Sequence, residues 1–96
     1  MADMASLNAI VKGRVQGVFF RAFVARKAKD LDLTGCVRNL PGGDVEVNAE
    51  GERQQLEKLI GLLKTGPPGA EVAEVIVNWS EYVGKYPRFS ITYGEL

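Results

Sequence analysis

The sequence predicts an α+β fold: a ferredoxin-like β-α-β-β-α-β sandwich, with two helices on one face of an antiparallel sheet and an extra C-terminal strand. Two observations predict it. Apolar residues alternate with a period of two in four separate stretches and recur at helical spacing in two others, and each helical stretch is set between strands. A chain of 96 residues is large enough to bury one core and too small for two, so a single domain is expected over 7–94, preceded by an N-terminal extension, 1–6.

From Leu7 to Val15 the side chains alternate, Leu7, Ala9 and Val11 on one face and Asn8, Ile10 and Lys12 on the other, which is strand periodicity. Phe20, Phe23, Val24, Ala28 and Leu31 then form one helical stripe, opposite Arg26, Lys27, Lys29 and Asp30. Thr34 to Leu40 gives a second strand. In Leu40-Pro41-Gly42-Gly43, proline and glycine take the central places of a type II turn. The return strand, Asp44 to Glu50, turns Val45, Val47 and Ala49 to the core and Asp44, Glu46, Asn48 and Glu50 to water. Leu56, Leu59, Ile60 and Leu63 make the stripe of a second helix, stopped by Gly66 and the prolines after it. Val75, Val77 and Trp79 alternate along a fourth strand and Phe89, Ile91 and Tyr93 along a fifth, with Tyr82 to Tyr86 connecting them.

The segment joining the first strand to the first helix carries the chemistry. In Gly13-Arg14-Val15-Gln16-Gly17-Val18-Phe19-Phe20-Arg21, glycines, a run of backbone amides and an arginine meet at a helix N-terminus. Helix-start N–H groups have no intrahelical partner and the macrodipole is positive there, so a phosphate-like anion is the natural guest. Arg21 is an unfavourably placed cation in a first helical turn, and a bound anion accounts for it.

Composition removes other chemistries. Lys plus Arg number 12 and Asp plus Glu number 12, so the net charge is zero and no global field draws the chain to nucleic acid or anionic lipid. There is no histidine and one cysteine, Cys36, which argues against zinc, disulfide and thiol chemistry. Cys36 reads as a small buried hydrophobe. Met1 to Ser6 lacks the features of a signal peptide and no apolar run approaches membrane-spanning length, so a cytoplasmic location is expected. Arg14 and Arg38 read as residues solvating a strand face. Phe20, Phe23, Trp79, Phe89 and Tyr93 read as packing rather than as a base-stacking platform.

The run at 13 to 21, then Gly35-Cys36-Val37-Arg38-Asn39, then Phe89-Ser90-Ile91-Thr92-Tyr93, in this order and spacing, closely resembles the acylphosphatase family. Gly66-Pro67-Pro68-Gly69-Ala70 adds a weaker match. The resemblance runs from about Leu7 to Tyr93. It implies a free-standing small enzyme that hydrolyses the carboxyl-phosphate anhydride of acyl phosphates, without metal or cofactor, to a carboxylate and inorganic phosphate. It places the family's essential arginine on Arg21 and its essential asparagine on Asn39. The phosphate-binding loop falls on Gly13, Val15, Gln16, Gly17, Val18, Phe19 and Phe20.

The residues suit that reaction. An acyl phosphate expels a carboxylate whose conjugate acid has a pKa near ~4, so no general acid is needed. Phosphoryl transfer is governed largely by positioning and charge stabilisation. Arg21 has a planar fork that can hold two phosphoryl oxygens, and Asn39 can orient a water without being a base. The expected partners are a small acyl phosphate and inorganic phosphate or another anion as product or inhibitor, with no nucleic acid or membrane, and the expected state is a monomer.

Two other classes remain. A noncatalytic module could use the loop to bind a phosphorylated partner, but a water-positioning amide would then serve no purpose. An RNA-binding sheet would need basic excess and exposed aromatics. Cys36 stands where the family often has a bulky aromatic, and Glu71 where a basic residue is common after the Gly-Pro-Pro-Gly-Ala run. Both bear on packing and acyl preference rather than on the reaction.

Overall fold

The alternation read along the first strand becomes burial on one side of a sheet. In the computed structural model, which describes residues 3–93, β1 spans Met4–Arg14 and turns Ala5, Leu7, Ala9 and Val11 into the core. Then follow α1 (Phe20–Asp30), β2 (Thr34–Asn39), β3 (Val45–Glu52), α2 (Arg53–Thr65), β4 (Glu71–Ser80) and β5 (Phe89–Thr92). The element order is the one the periodicities predict. β1 starts earlier than expected, because Met4, Ala5 and Ser6 pair with Glu52, Gly51 and Glu50. These three residues of the expected extension are therefore part of the sheet. Met1 and Ala2 of that extension and Gly94 at the expected domain end lie outside the described residues.

The strand order is β4-β1-β3-β2-β5. The first four strands pair antiparallel, as predicted, but β5 joins β2 in parallel, Gly35 opposite Phe89 and Val37 opposite Ile91. The β-α-β-β-α-β unit has the expected antiparallel sheet, and the extra C-terminal strand, whose direction the expectation left open, makes the five-stranded sheet mixed. Strand direction is not encoded in side-chain alternation, which reads the same both ways. It follows from how the connection after β4 crosses the sheet.

Both helices pack on the apolar face. α1 contributes buried Phe20, Val24, Ala25 and Ala28, and α2 contributes Leu56, Leu59 and Leu63. Phe23, Leu31 and Ile60 of the predicted stripes are partly buried at the rim. The β2–β3 turn has the expected form: Gly42 has φ 96 and the Gly43 N–H donates to the Leu40 carbonyl at 3.3 Å.

The sheet's outer face departs from expectation. Glu50, expected in water, is only 2 % exposed. The connection from β4 to β5 folds over it, and its carboxylate accepts from the Ser6 hydroxyl at 2.5 Å and the N–H groups of Val83 at 3.1 Å and Lys85 at 3.2 Å. Arg38 does not merely solvate this face, since its Nε donates to Glu46 at 2.7 Å. Cys36, expected buried, is half-buried there. Trp79 is half-buried beneath the Arg53 guanidinium, 4.1 Å from its ring centre.

This topology positions the site. β1 is antiparallel to β3, β3 to β2, and β5 runs parallel with β2. The C-terminal ends of β1, β2 and β5 therefore emerge at the same edge of the sandwich, where α1 begins.

Candidate active site

The loop from β1 to α1 is shaped by a close approach. Gly13 has φ +129, and a Cβ there would run into the Glu71 carbonyl oxygen and the Ala73 nitrogen of β4. A register shift between Lys12 and Gly13 marks the same place, where Ala73 of β4 has no residue opposite it and the pairing resumes at Gly13 and Arg14. Gly17 also has positive φ, 75°, a conformation that glycine adopts without a steric penalty. Val15 between them is buried and pins the loop to the core.

Gln16 ties the loop to the neighbouring hairpin. Its Nε2 donates to the Leu40 carbonyl at 2.9 Å and to the Asp44 carbonyl at 2.8 Å. Lys12 reaches the same hairpin through Asp44 at 2.8 Å, and the Asp44 carboxylate raises the Lys12 ammonium above its ordinary value through a hydrogen bond and charge. The strand that ends in Asn39 and the loop that leads to Arg21 are thereby held together.

Phe19 is the N-cap of α1 with φ 61 and ψ 28, left-handed backbone, and its side chain supplies no capping bond. Its carbonyl accepts from the Phe23 N–H at 3.1 Å. Arg21, in the first turn, donates from Nη1 to the Thr92 carbonyl at 3.4 Å and lies over the Tyr93 ring, 4.9 Å from its centre. Tyr93 was expected in the core; it is 74 % exposed, because it follows the end of β5, at the margin of the sandwich.

One cleft of about 310 Å³ gathers these groups. Arg21 and Asn39 both line it, with Val15, Gly17, Phe19 and Phe20 from the loop, Ala22 from α1, and Ile91 and Tyr93 from β5 and its end. Of the remaining loop residues, Gly13 and Gln16 shape and anchor it from behind, and Val18 packs against the core. No carboxylate is among the lining side chains. A larger cleft of about 450 Å³ on the outer face is lined by Glu50 and Glu81 against a single Lys85, a poor setting for an anion.

Two contributors escaped the sequence reading. Gln16 was expected to serve through its backbone, and its side-chain role depends on a hairpin 24 residues away. Arg21 bonds to Thr92 across 71 residues and meets the adjacent Tyr93 ring. Nothing local signals either pairing.

The molecule is a small α+β helix-on-sheet domain in which a glycine-shaped turn, a helix start and a guanidinium meet at one cleft. The acylphosphatase family profile matches residues 7–91. An acylphosphatase of Dehalococcoides mccartyi is 50 % identical over 94 % of this chain and all of that protein. Among solved structures, acylphosphatase from Bacillus subtilis superposes with a TM-score of 0.90 at 39 % identity, covering 93 % of this chain and 99 % of that one. One from Coxiella burnetii gives 0.84 at 45 % identity, covering 94 % of each. The chain belongs to the acylphosphatase family, hydrolases that act on acid anhydrides and cleave acyl phosphates.

Proposed function

We propose that the cleft performs this hydrolysis with Arg21 and the amides of the loop holding the phosphoryl group while Asn39 positions the attacking water. The observation that supports this most is the meeting of Arg21 and Asn39 in one cleft beside the helix start. The water oxygen bonds to phosphorus as the bond from phosphorus to the acyl oxygen breaks. The electron pair leaves with the carboxylate, and the protons of the water stay on the phosphate, so a dianionic substrate yields two monoanions.

Each part answers a requirement of that step. Charge spreads over the equatorial oxygens in the transition state, and the amides of Val15 to Phe20 with the Arg21 fork are suited to stabilise it. The carboxylate needs no proton to leave. Asn39 accepts a hydrogen bond from the water and so directs its lone pair at phosphorus. In this reading 7–94 is the functional domain, acting as a cytoplasmic monomer on small acyl phosphates, with inorganic phosphate as product and inhibitor.

The test is hydrolysis of benzoyl phosphate in the presence of a chelator, by the wild type and by Arg21→Lys. A lysine is a point charge and cannot reproduce the two-pronged contact. The expected loss is about 100- to 1,000-fold in kcat/KM. Turnover near the wild-type level in Arg21→Lys would overturn the bidentate role.

A further inference from the structure

Glu50 is buried on the outer face of the sheet and does not line the cleft of Arg21 and Asn39. A covered carboxylate costs free energy unless donors surround it. Its cover is the connection between β4 and β5, whose residues 81–85 are exposed and border an open space of about 450 Å³. Val83 in this segment is 67 % exposed, so apolar packing does little to hold the connection down. Its backbone is held by the carboxylate instead. The Val83 N–H donates to Oε2 and the Lys85 N–H to Oε1, and the Gly84 N–H contributes between them. Gly84 has φ 68, and a turn of this kind lets successive N–H groups converge on one anion. The Ser6 hydroxyl fixes the same carboxylate to β1.

The connection runs straight into β5. The Arg88 carbonyl accepts from the Gly35 N–H at 3.1 Å, and four strand residues follow. β5 is an edge strand, bonded to β2 alone, and a short strand with a partner on one side opens locally at small cost. Its start is gripped from both faces of the sheet: buried Phe89 holds it to the core, and Glu50 holds the chain that enters it. Its far end carries the Thr92 carbonyl and leads to the Tyr93 ring, the two groups that meet Arg21. We infer that Glu50 is a positioning residue for Arg21: from the opposite face of the sheet it ties down the connection into β5 and so keeps the brace of the guanidinium in place. The inference rests on phosphoryl binding by Arg21 in acyl phosphate hydrolysis and adds a remote group that governs it.

The experiment measures inhibition of benzoyl phosphate hydrolysis by inorganic phosphate in wild type, Glu50→Gln, Gly84→Ala, Tyr93→Ala and the double variant Glu50→Gln with Tyr93→Ala. A glutamine offers one oxygen where Val83 and Lys85 use two, so one N–H would face an amide donor. Gly84→Ala leaves the carboxylate intact and disturbs the turn from outside, since its Cβ would lie 3.1 Å from the Tyr82 hydroxyl at a φ that alanine disfavours. Global destabilisation lowers the amount of active enzyme and thus apparent kcat, but leaves the inhibition constant unchanged. Glu50→Gln and Gly84→Ala are each expected to weaken phosphate inhibition about two- to fivefold, up to the full value of the contact between Arg21 and Tyr93. The double variant is expected to match Tyr93→Ala alone, because the brace can be lost only once. Unchanged inhibition in both single variants, or losses that multiply in the double variant, would overturn the inference and leave the hydrolysis reading standing. A wild type that does not cleave benzoyl phosphate would overturn both.

Discussion

The Arg21 guanidinium carbon lies 4.9 Å from the centre of the Tyr93 ring, and Nη1 of the same side chain donates to the Thr92 carbonyl. The cation of the cleft is thus braced by the end of the last strand. Because β5 runs parallel to β2, that end emerges beside Asn39, so one topological choice brings the brace, Arg21 and Asn39 together.

Tyr93→Ala should loosen Arg21 without removing its charge. A partly exposed cation-π contact is worth about 0.5–1 kcal/mol, so inhibition by inorganic phosphate should weaken about two- to fivefold. Tyr93→Phe keeps the ring face and should behave as wild type. Equal losses in the two variants would point to the hydroxyl instead, and a phosphate inhibition series measures both.

Gln16→Ala removes two hydrogen bonds from side-chain amide to backbone carbonyl. At about 1 kcal/mol each, unfolding in urea should show a loss of roughly 1–2 kcal/mol. Turnover should fall further than that loss explains, since the bonds hold the loop against the strand that carries Asn39. Gln16→Glu should be worse than alanine at neutral pH, because a carboxylate would face two carbonyl oxygens with no proton between them.

The contrast between Gln16 and Arg21 explains what could be read in advance. The glycine loop, both helical stripes and the Pro41-Gly42 turn are local patterns, and each appeared where periodicity or turn chemistry placed it. Arg21 and Asn39 were found through the ordered motifs, and the fold brings them to one cleft. Gln16, Glu50 and Tyr93 take their roles from partners far away in the chain. For Glu50, alternation correctly assigned the sheet face, but whether that face meets water depends on the path of the connection between β4 and β5. Periodicity carries no record of that path.

Glu50 sets an acid limit on stability. Burial pushes its carboxyl up, but the bonds from Ser6 and from the backbone N–H groups of Val83, Lys85 and Gly84 together outweigh burial and hold it below the ordinary 4.5. A carboxyl lowered in the folded state contributes stability above its unfolded pKa, and that contribution is lost as pH falls through the folded value. Glu50→Gln should cost about 2 kcal/mol at pH 7, the scale of a hydrogen bond to a charged group. The gap to wild type should narrow progressively below about pH 4.5. Chemical denaturation at a series of pH values checks this, and a gap that stays constant would remove Glu50 from the acid transition. Amide exchange at Val83 and Lys85 should rise in the same variant, since these N–H groups donate to its carboxylate.

Asn39 separates holding the phosphoryl group from attacking it. If its side chain only aims the water, Asn39→Ala should lower kcat about 100-fold, the scale of a misplaced reacting group, while inhibition by inorganic phosphate stays close to wild type. Asn39→Asp adds a negative charge beside a bound dianion and removes the amide donor. It should therefore lose phosphate affinity as well as turnover, and raising the ionic strength should recover part of the affinity. If Asn39→Ala instead lost phosphate affinity and turnover together, the residue would belong to the anion cradle or to the hairpin's structure. The folded stability of that variant decides between those two, since only a structural role lowers it. The ratio of kcat loss to phosphate loss in this pair of variants thus measures how the cleft divides binding from attack, which neither substitution alone could reveal.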